Sequence, residues 1–201
     1  MIRFLSLSLV LLFVSCASYP EKQQFQSIND QADFHNVYFS NVEKDYVYKA
    51  SIEVYDKVFG GIFIVKKIDD LHHRVVFTTE MGNKILDFSF DKEAFKVNSI
   101  LEALDKKILI NVLKKDFKVL ITENLKLKAA FKSDKQTVGQ TVIDSDDYFY
   151  FGTNPLNKIV KSKCGKAQVV FTFSEISNNI AHNINIQHFN IKFKMGLKSI
   201  N

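Results

Sequence analysis

The sequence has no tryptophan, only two cysteines, and a single arginine beyond Arg3. Two cysteines, Cys16 and Cys164, cannot build the several disulfides that staple a small secreted scaffold. The apolar stretch at residues 4–14 is shorter than the roughly 20 residues that span a bilayer. The sequence therefore excludes a disulfide framework, and residues 4–14 are too short for an ordinary membrane-spanning helix. Phenylalanine is abundant instead, with 19 copies, which suits either a large core or an apolar cavity.

Motifs for catalysis and metal binding are also missing. The chain contains no nucleophile elbow, no phosphate-binding loop and no dinucleotide fingerprint. Its five histidines lack the spacing of converging metal ligands. The aspartates around Ser145 lack the ligand pattern, the glycine and the distal glutamate of a calcium loop. The sequence thus predicts no enzyme, no catalytic residues, no metal and no cofactor.

The first 15 residues form the clearest positive signal. Arg3 precedes a short apolar stretch that ends in a small residue and Cys16, which is the pattern of a secretory signal peptide. Residues 13–16, Phe-Val-Ser-Cys, resemble a bacterial lipobox with Phe13 in place of leucine. The resemblance implies that Cys16 becomes the first mature residue and carries the acyl chains of a lipoprotein. Cleavage at an ordinary small-residue site, or a short uncleaved anchor, remains the alternative.

The residues that follow Cys16 indicate in which membrane of the cell envelope the protein is anchored. Two or three acyl chains make membrane attachment effectively permanent. Ala17 and Ser18 are neutral, and no aspartate follows the cysteine, which resembles lipoproteins exported to the outer membrane. We therefore expect a lipid-anchored protein of the cell envelope, on the outer membrane and facing the periplasm. Residues 16–32 are interpreted as a lipidated N-terminus and polar tether, and residues 33–201 as a single domain.

The net charge of +5 consists of lysines spread along the chain. Nucleic acid is a poor partner for an exported protein, and we expect none. A lysine-rich surface can be merely solvated, or it can be attracted weakly to an anionic membrane.

Alternation of apolar and polar residues indicates a chain dominated by strands. Strands are predicted over residues 46–54, 62–67, 74–79, 84–90, 125–131, 137–143, 148–151, 158–161, 167–173, 180–187 and 189–193. Gly60 and Gly61 are interpreted as a turn. One region differs: Ser99 and Glu102 form a capping-box pattern, and apolar residues from 100 to 120 recur with helical spacing. This order predicts an α+β, mainly antiparallel fold, in which a strongly curved sheet carries a helix inserted mid-chain.

Residues 75–82, Val-Val-Phe-Thr-Thr-Glu-Met-Gly, precede a strand and then this helical stretch. The layout resembles the LolA/LolB-like carriers and receptors of lipoprotein localisation, where a Pro-Leu-Gly-like turn stands in place of Glu80, Met81 and Gly82. The resemblance implies an incomplete β-barrel with a helical lid, here residues 99–121, over an apolar cavity. It implies a non-enzymatic protein that binds acyl chains of lipids or lipoproteins, in trafficking to the outer membrane.

Residues expected to line that cavity come from the strands and the lid: Phe63, Val65, Phe77, Leu101, Leu104, Ile108 and Val112. The same side chains could equally fill a solid core. Arg74 is expected to hold an anionic head group at the cavity mouth, or to form a surface ion pair. The alternative function is a structural or scaffolding envelope lipoprotein with a filled core and a protein partner.

Overall fold

A computed structural model describes residues 17–29, 34–92 and 94–200. The predicted signal peptide and Cys16 lie outside the described residues. Thirteen strands form one antiparallel sheet in the order β1-β7-β8-β9-β10-β11-β12-β13-β2-β3-β4-β5-β6, which is not closed. The strands are β1 (Gln26–Ile28), β2 (Asp45–Val54), β3 (Lys57–Lys67), β4 (His72–Thr78), β5 (Lys84–Asp91), β6 (Ala94–Ile100), β7 (Leu127–Lys132), β8 (Thr137–Ile143), β9 (Asp146–Phe151), β10 (Lys158–Lys163), β11 (Lys166–Ser177), β12 (Ile180–His188) and β13 (Phe193–Ser199).

Helices account for little of the described part of the chain. α1 (Tyr19–Lys22) is a single turn, a 3-10 turn covers Glu102–Leu104, and α2 (Lys107–Ile121) is the one long helix among the described residues. None of these helices is long and apolar enough to cross a membrane. The antiparallel sheet and the mid-chain helix confirm the fold class in outline, although the protein is mostly β.

The sheet curves around α2. Phe117, near the middle of that helix, lies 5.2 Å from Phe63 on β3 and 6.1 Å from Phe88 on β5, measured between ring centroids. From the neighbouring position, Asp116 reaches His188 at the end of β12. A helix of 15 residues that contacts strands so far apart in the sheet order requires a concave sheet. The main core fills the space between this concave face and the helix.

The strand β9 is buried on both faces. Tyr148 and Tyr150 face the main core, whereas Phe149 and Phe151 point to the outer face and are also buried. The rings of Tyr19 and Phe25 cover this outer pair, with Tyr19 at 4.8 Å from Phe149 and Phe25 at 5.9 Å from Phe151.

This cover comes from the segment interpreted as a tether. Ser18 and Glu21 form a capping box at α1, and β1 pairs with β7 along residues 26–28. Residues 17–29 therefore pack on the sheet rather than extend away from it. The physical reason is the large apolar surface of Phe149 and Phe151, which needs to be removed from water.

The predicted start of the long helix is wrong. Ser99 pairs with Asp87 and Ile100 with Leu86, so the supposed capping box begins at the end of strand β6. α2 starts at Lys107, and its N-terminus has no side-chain cap. The ladder of hydrogen bonds to β5 outweighs the local helical preference, because pairing also half-buries Phe95 and Val97.

Two other predictions are corrected. Gly60 and Gly61 lie within β3, and the turn falls at Tyr55 and Asp56 instead. Gly61 is required there because a Cβ would come 1.8 Å from the carbonyl oxygen of Thr78. Likewise, residues 189–192 connect β12 to β13, and the last strand begins only at Phe193.

Candidate functional site

The helix α2 closes the concave side of the sheet, and we call it the lid. Its apolar stripe, repeated every three or four residues, faces inward and is buried at Leu109, Leu113, Phe117 and Leu120. Lys107, Ile108 and Asn111 remain exposed on the other side. The lid therefore follows from the apolar spacing that the sequence displays.

The C-terminal half of the lid is firmly held. The side-chain amide of Asn36 donates to the carbonyl oxygen of Leu120 at 2.7 Å. Lys118 pairs with Asp144 at 2.7 Å, and Lys115 reaches Asp146 at the same distance. These bonds tie the end of the helix to the loop before β2 and to the turn between β8 and β9.

The N-terminal end of the lid is held less tightly and borders two crevices. The first, of about 180 Å³, is lined by Val54, Tyr55, Lys106, Ile108, Leu109, Val112, Ile191, Lys192 and Phe193. The second, of about 240 Å³, is lined by Val54, Tyr55, Asp56, Lys57, Phe59, Ala103, Leu104, Lys106 and Leu109. Their common residues are Val54, Tyr55, Lys106 and Leu109, so the two crevices adjoin. We call them together the lid crevice.

The predicted cavity residues divide into three groups. Phe63, Val65 and Phe77 lie at the bottom of the core, each no more than 1% exposed. Leu104, Ile108 and Val112 line the lid crevice. Leu101 lines neither part of it and is 41% exposed. Sequence reasoning missed the other wall, formed by Tyr55 and Ile191 in two turns.

Arg74 lies on the outer face of the sheet, away from the lid. Its guanidinium donates to both carboxylate oxygens of Asp87, at 2.9 and 2.7 Å. Lys84 and Asn98 bind the same carboxylate. The Arg74 hydrogen bonds hold the pKa of Asp87 well below its usual range, although burial opposes them. Arg74 thus forms the ion pair that the sequence offers as one of its two roles.

A second cavity, of about 430 Å³, opens at the C-terminal end of the lid. Its wall carries both signs of charge, with Lys92, Lys118 and Lys126 opposite Asp70, Glu123 and Asp144. His73 also lines it, and burial lowers the pKa of this imidazole. Desolvating so many charged groups is costly. This cavity is therefore a poor place for an apolar ligand, and the lid crevice is the better candidate.

One buried polar pair was not found from the sequence. The Nε2 atom of His188 lies 2.8 Å from a carboxylate oxygen of Asp116, and both side chains are at most 5% exposed. Burial raises the pKa of Asp116, although the hydrogen bond from His188 opposes the shift. The pair joins the middle of the lid to the sheet. Elsewhere in the described ranges, no cluster of three or more histidine, cysteine or acidic side chains could hold a metal ion.

Comparison with known proteins places the fold. No family model matches the sequence, and no curated protein matches it. Among solved structures, the chain is similar to a LolA superfamily protein from Nitrosomonas europaea, with a TM-score of 0.53 and 9% identity over 91% of this chain and 90% of that one.

Two other solved structures are similar at lower scores. A domain described as an outer membrane lipoprotein-sorting protein, from Vibrio parahaemolyticus, has a TM-score of 0.46 and 7% identity over 78% of this chain and 83% of that one. A DUF1329 family protein from Desulfovibrio piger has a TM-score of 0.43 and 9% identity over 78% and 84%. The unclosed antiparallel sheet, the inserted lid and the likeness to the Nitrosomonas protein together give this chain a LolA-like fold.

Proposed function

We propose that this chain is a non-enzymatic lipoprotein of the bacterial outer membrane that shelters an acyl chain beneath the N-terminal end of its lid. The observation that carries the proposal is the lid crevice, where apolar side chains of the lid and two turns enclose space beside the core. Burial supplies the affinity, because each methylene removed from water contributes about 0.8 kcal/mol. The fold shared with the LolA superfamily protein from Nitrosomonas europaea supports a proposal of this kind.

The size of the crevice bears on the mechanism. Each of its two parts, of about 180 and 240 Å³, is by itself smaller than the roughly 300–1,000 Å³ of ordinary ligand sites. A long acyl chain has to occupy both parts, and joining them around the chain requires the lid to move. The N-terminal end is the part that opens, because it lacks a side-chain cap and carries none of the three bonds that fix the other half.

The acyl-binding proposal predicts the effect of a charge in the crevice. Replacing Ile108, which is 71% exposed, with aspartate leaves the core intact but places a carboxylate beside the ligand. We expect a fatty acid with an environment-sensitive fluorophore to bind the variant several-fold more weakly, because aspartate removes the apolar contact of Ile108 and keeps water beside the acyl chain. Fluorescence titration of a soluble form that starts at Ala17 measures the affinity.

Leu101→Asp is the matched control, since this exposed residue precedes the lid without lining the crevice. Equal weakening in the two variants would contradict binding in the crevice. A complete lack of fatty-acid uptake by the unmodified protein would remove the acyl-binding function altogether.

Attachment through Cys16 is a separate prediction. In bacteria fed labelled palmitate, the full chain is expected to take up label, and Cys16→Ser is expected to lose it. Cys164→Ser serves as the control, because Cys164 lies exposed in the turn after β10 and should not affect acylation. Label that persists in Cys16→Ser, or that disappears in Cys164→Ser, would refute attachment at Cys16.

A structural envelope lipoprotein remains the second candidate function, and a specific observation favours it. Phe63, Val65 and Phe77 are fully buried, so the deepest part of the expected cavity is occupied by side chains. A protein with this filled core could serve by binding an envelope partner. Failure of fatty-acid uptake combined with intact palmitate labelling would favour this second function.

A further inference from the structure

The turns beside the lid all leave the sheet at the same end. The strands β8 to β13, followed in the sheet by β2 and β3, are each antiparallel to their neighbours. The turns after β8, β10, β12 and β2 therefore lie on one rim. The lid runs along it, because its side chains reach Asp144, His188 and Tyr55 in or next to three of those turns.

The described chain begins at this same rim. The carbonyl oxygen of Ala17 lies 2.1 Å from the position that a Cβ on Gly165 would occupy. Nearby, the ammonium group of Lys22 donates to the carbonyl oxygen of Cys164 at 3.1 Å. Residues 17–22 are thus pinned against the turn between β10 and β11, and Ala17 is bonded directly to Cys16.

The exposed composition of the rim is unusual. We define the lid rim as residues 55–57, 106–108, 163–166 and 189–192. The turn after β8 is left out because its acids, Asp144, Asp146 and Asp147, are paired with lysines of the lid and the sheet. It exposes three large apolar side chains, with Tyr55 at 58%, Phe189 at 64% and Ile108 at 71%. It also exposes six lysines against one acid, Asp56: these are Lys57, Lys106, Lys107, Lys163, Lys166 and Lys192. Two further acids, Glu102 and Asp105, stand beside the start of the lid.

The other end of β3, which borders the cavity at the C-terminal end of the lid, lacks this combination. The turn after β3 also exposes apolar side chains, Ile68 at 56% and Leu71 at 47%, but its charged residues are Asp69 and Asp70. Since β3 has 11 residues, the two ends are separated by roughly 35 Å at about 3.3 Å per residue. The combination of exposed lysines and apolar side chains is therefore found at the lid rim and not at the other end of β3.

We propose that the lid rim docks on an anionic lipid bilayer, with the three apolar side chains in the interface and the lysines against the head groups. Anionic head groups attract nearby lysines, and exposed aromatic and aliphatic side chains insert at the boundary between head groups and acyl chains. This proposal rests on and extends the proposed function. If Cys16 carries a lipid, the fixed position of residues 17–22 keeps the rim close to the membrane, and the lid crevice then faces the bilayer. The rim surface itself is independent of that lipid.

Vesicle flotation of the soluble form starting at Ala17 tests the docking without the lipid. Vesicles of phosphatidylcholine containing phosphatidylglycerol are expected to bind it, and vesicles of pure phosphatidylcholine much less. In a triple variant, Lys107, Lys163 and Lys166, which lie on the rim without lining the crevice, are replaced with glutamate, which should weaken binding to the anionic vesicles more than tenfold. Phe189→Ser should weaken it further, whereas Ile68→Ser at the opposite end should not.

The matched charge control replaces Lys132, Lys135 and Lys198 with glutamate, because these exposed lysines lie far from the rim. Equal loss in both triple variants, equal binding to neutral vesicles, or no binding to anionic vesicles would overturn the docking proposal. Fatty-acid titration of the same samples separates the two proposals. If the unmodified protein takes up fatty acid but does not bind anionic vesicles, docking fails and the acyl-binding function stands.

Discussion

Replacing Phe117 with alanine is expected to lower the free energy of unfolding by about 3–5 kcal/mol. The ring is fully buried in the C-terminal half of the lid and packs against Phe63 and Phe88 from two different strands. Because the curved sheet is continuous, the strands cannot collapse freely into the space left by the ring. Urea denaturation followed by circular dichroism measures the loss, and Asn111→Ala on the exposed side of the same helix is the control.

The same substitution tests whether the filled core and the lid crevice can become one site. The space left by Phe117 is apolar, and an apolar cavity stays dry and accepts apolar guests. We therefore expect the fluorescent fatty acid to bind Phe117→Ala more tightly than the unmodified protein. Unchanged or weaker binding, with the fold retained, would show that ligand stays at the lid edge or does not bind. A stability loss below about 1 kcal/mol would contradict the close packing of the lid.

The sequence predicts those parts of the fold in which side-chain periodicity and burial agree. β2 is an example, because Tyr46, Tyr48, Ala50, Ile52 and Val54 all face the core in strict alternation. The lid is another, since its apolar stripe appears in the sequence at the correct spacing. In both cases one face of an isolated element already specifies its environment.

Other parts depend on partners distant in the sequence. Ser99 and Ile100 look like a helix start, yet pairing with β5 makes them a strand end. Tyr19 and Phe25 stand in a polar segment, and their role becomes visible only when β9 exposes Phe149 and Phe151 on its outer face. Four consecutive aromatic residues in β9 were the available signal, because a strand buried on both faces needs a second layer.

The sequence expectation and the crevice share part of their residues. Leu104, Ile108 and Val112 are expected at the cavity from their apolar character, and all three line the lid crevice. Apolar character alone cannot distinguish these three residues from Phe63 and Phe77, which are fully buried in the core. What separates the two groups is how deep each side chain lies beneath the lid, and the sequence does not show that depth. Asp116 did leave a trace in the sequence, since a carboxylate beside the apolar stripe of a helix requires a partner. Its partner lies 72 positions away and could not be identified without the fold.

Removal of His188, the partner of Asp116, is expected to have the second large effect on stability. His188→Leu is expected to lower the free energy of unfolding at neutral pH by about 3–5 kcal/mol, because it leaves a buried carboxylate without its hydrogen bond. The contact of the imidazole with the ring of Phe193, at 4.9 Å between centroids, is lost as well. Asp116→Asn in the same background removes the charge and should recover part of the stability. The double-mutant cycle then separates the charge from the packing.

The pH dependence of this loss has a definite sign. Burial raises the pKa of Asp116 in the folded protein, so the folded state takes up a proton more readily than the unfolded chain. The Asp116 contribution to stability therefore falls as pH rises from the ordinary aspartate range, near 3.9, through the raised value. Without His188 only the charge of Lys161 opposes this shift, and the deficit of His188→Leu should be greatest at neutral pH and shrink toward acid.

Nearby groups must be included in that titration. Lys161 acts on Asp116 as a favourable charge, and burial raises the pKa of Tyr148, with a further contribution from Asp116. Because its pKa is raised above the usual tyrosine value, Tyr148 does not change charge in the acid range. Chemical denaturation of both variants between acid and neutral pH measures the effect. A deficit that is the same at every pH would mean that His188 stabilises the lid by packing alone, whereas one that vanishes in Asp116→Asn assigns it to the buried carboxylate.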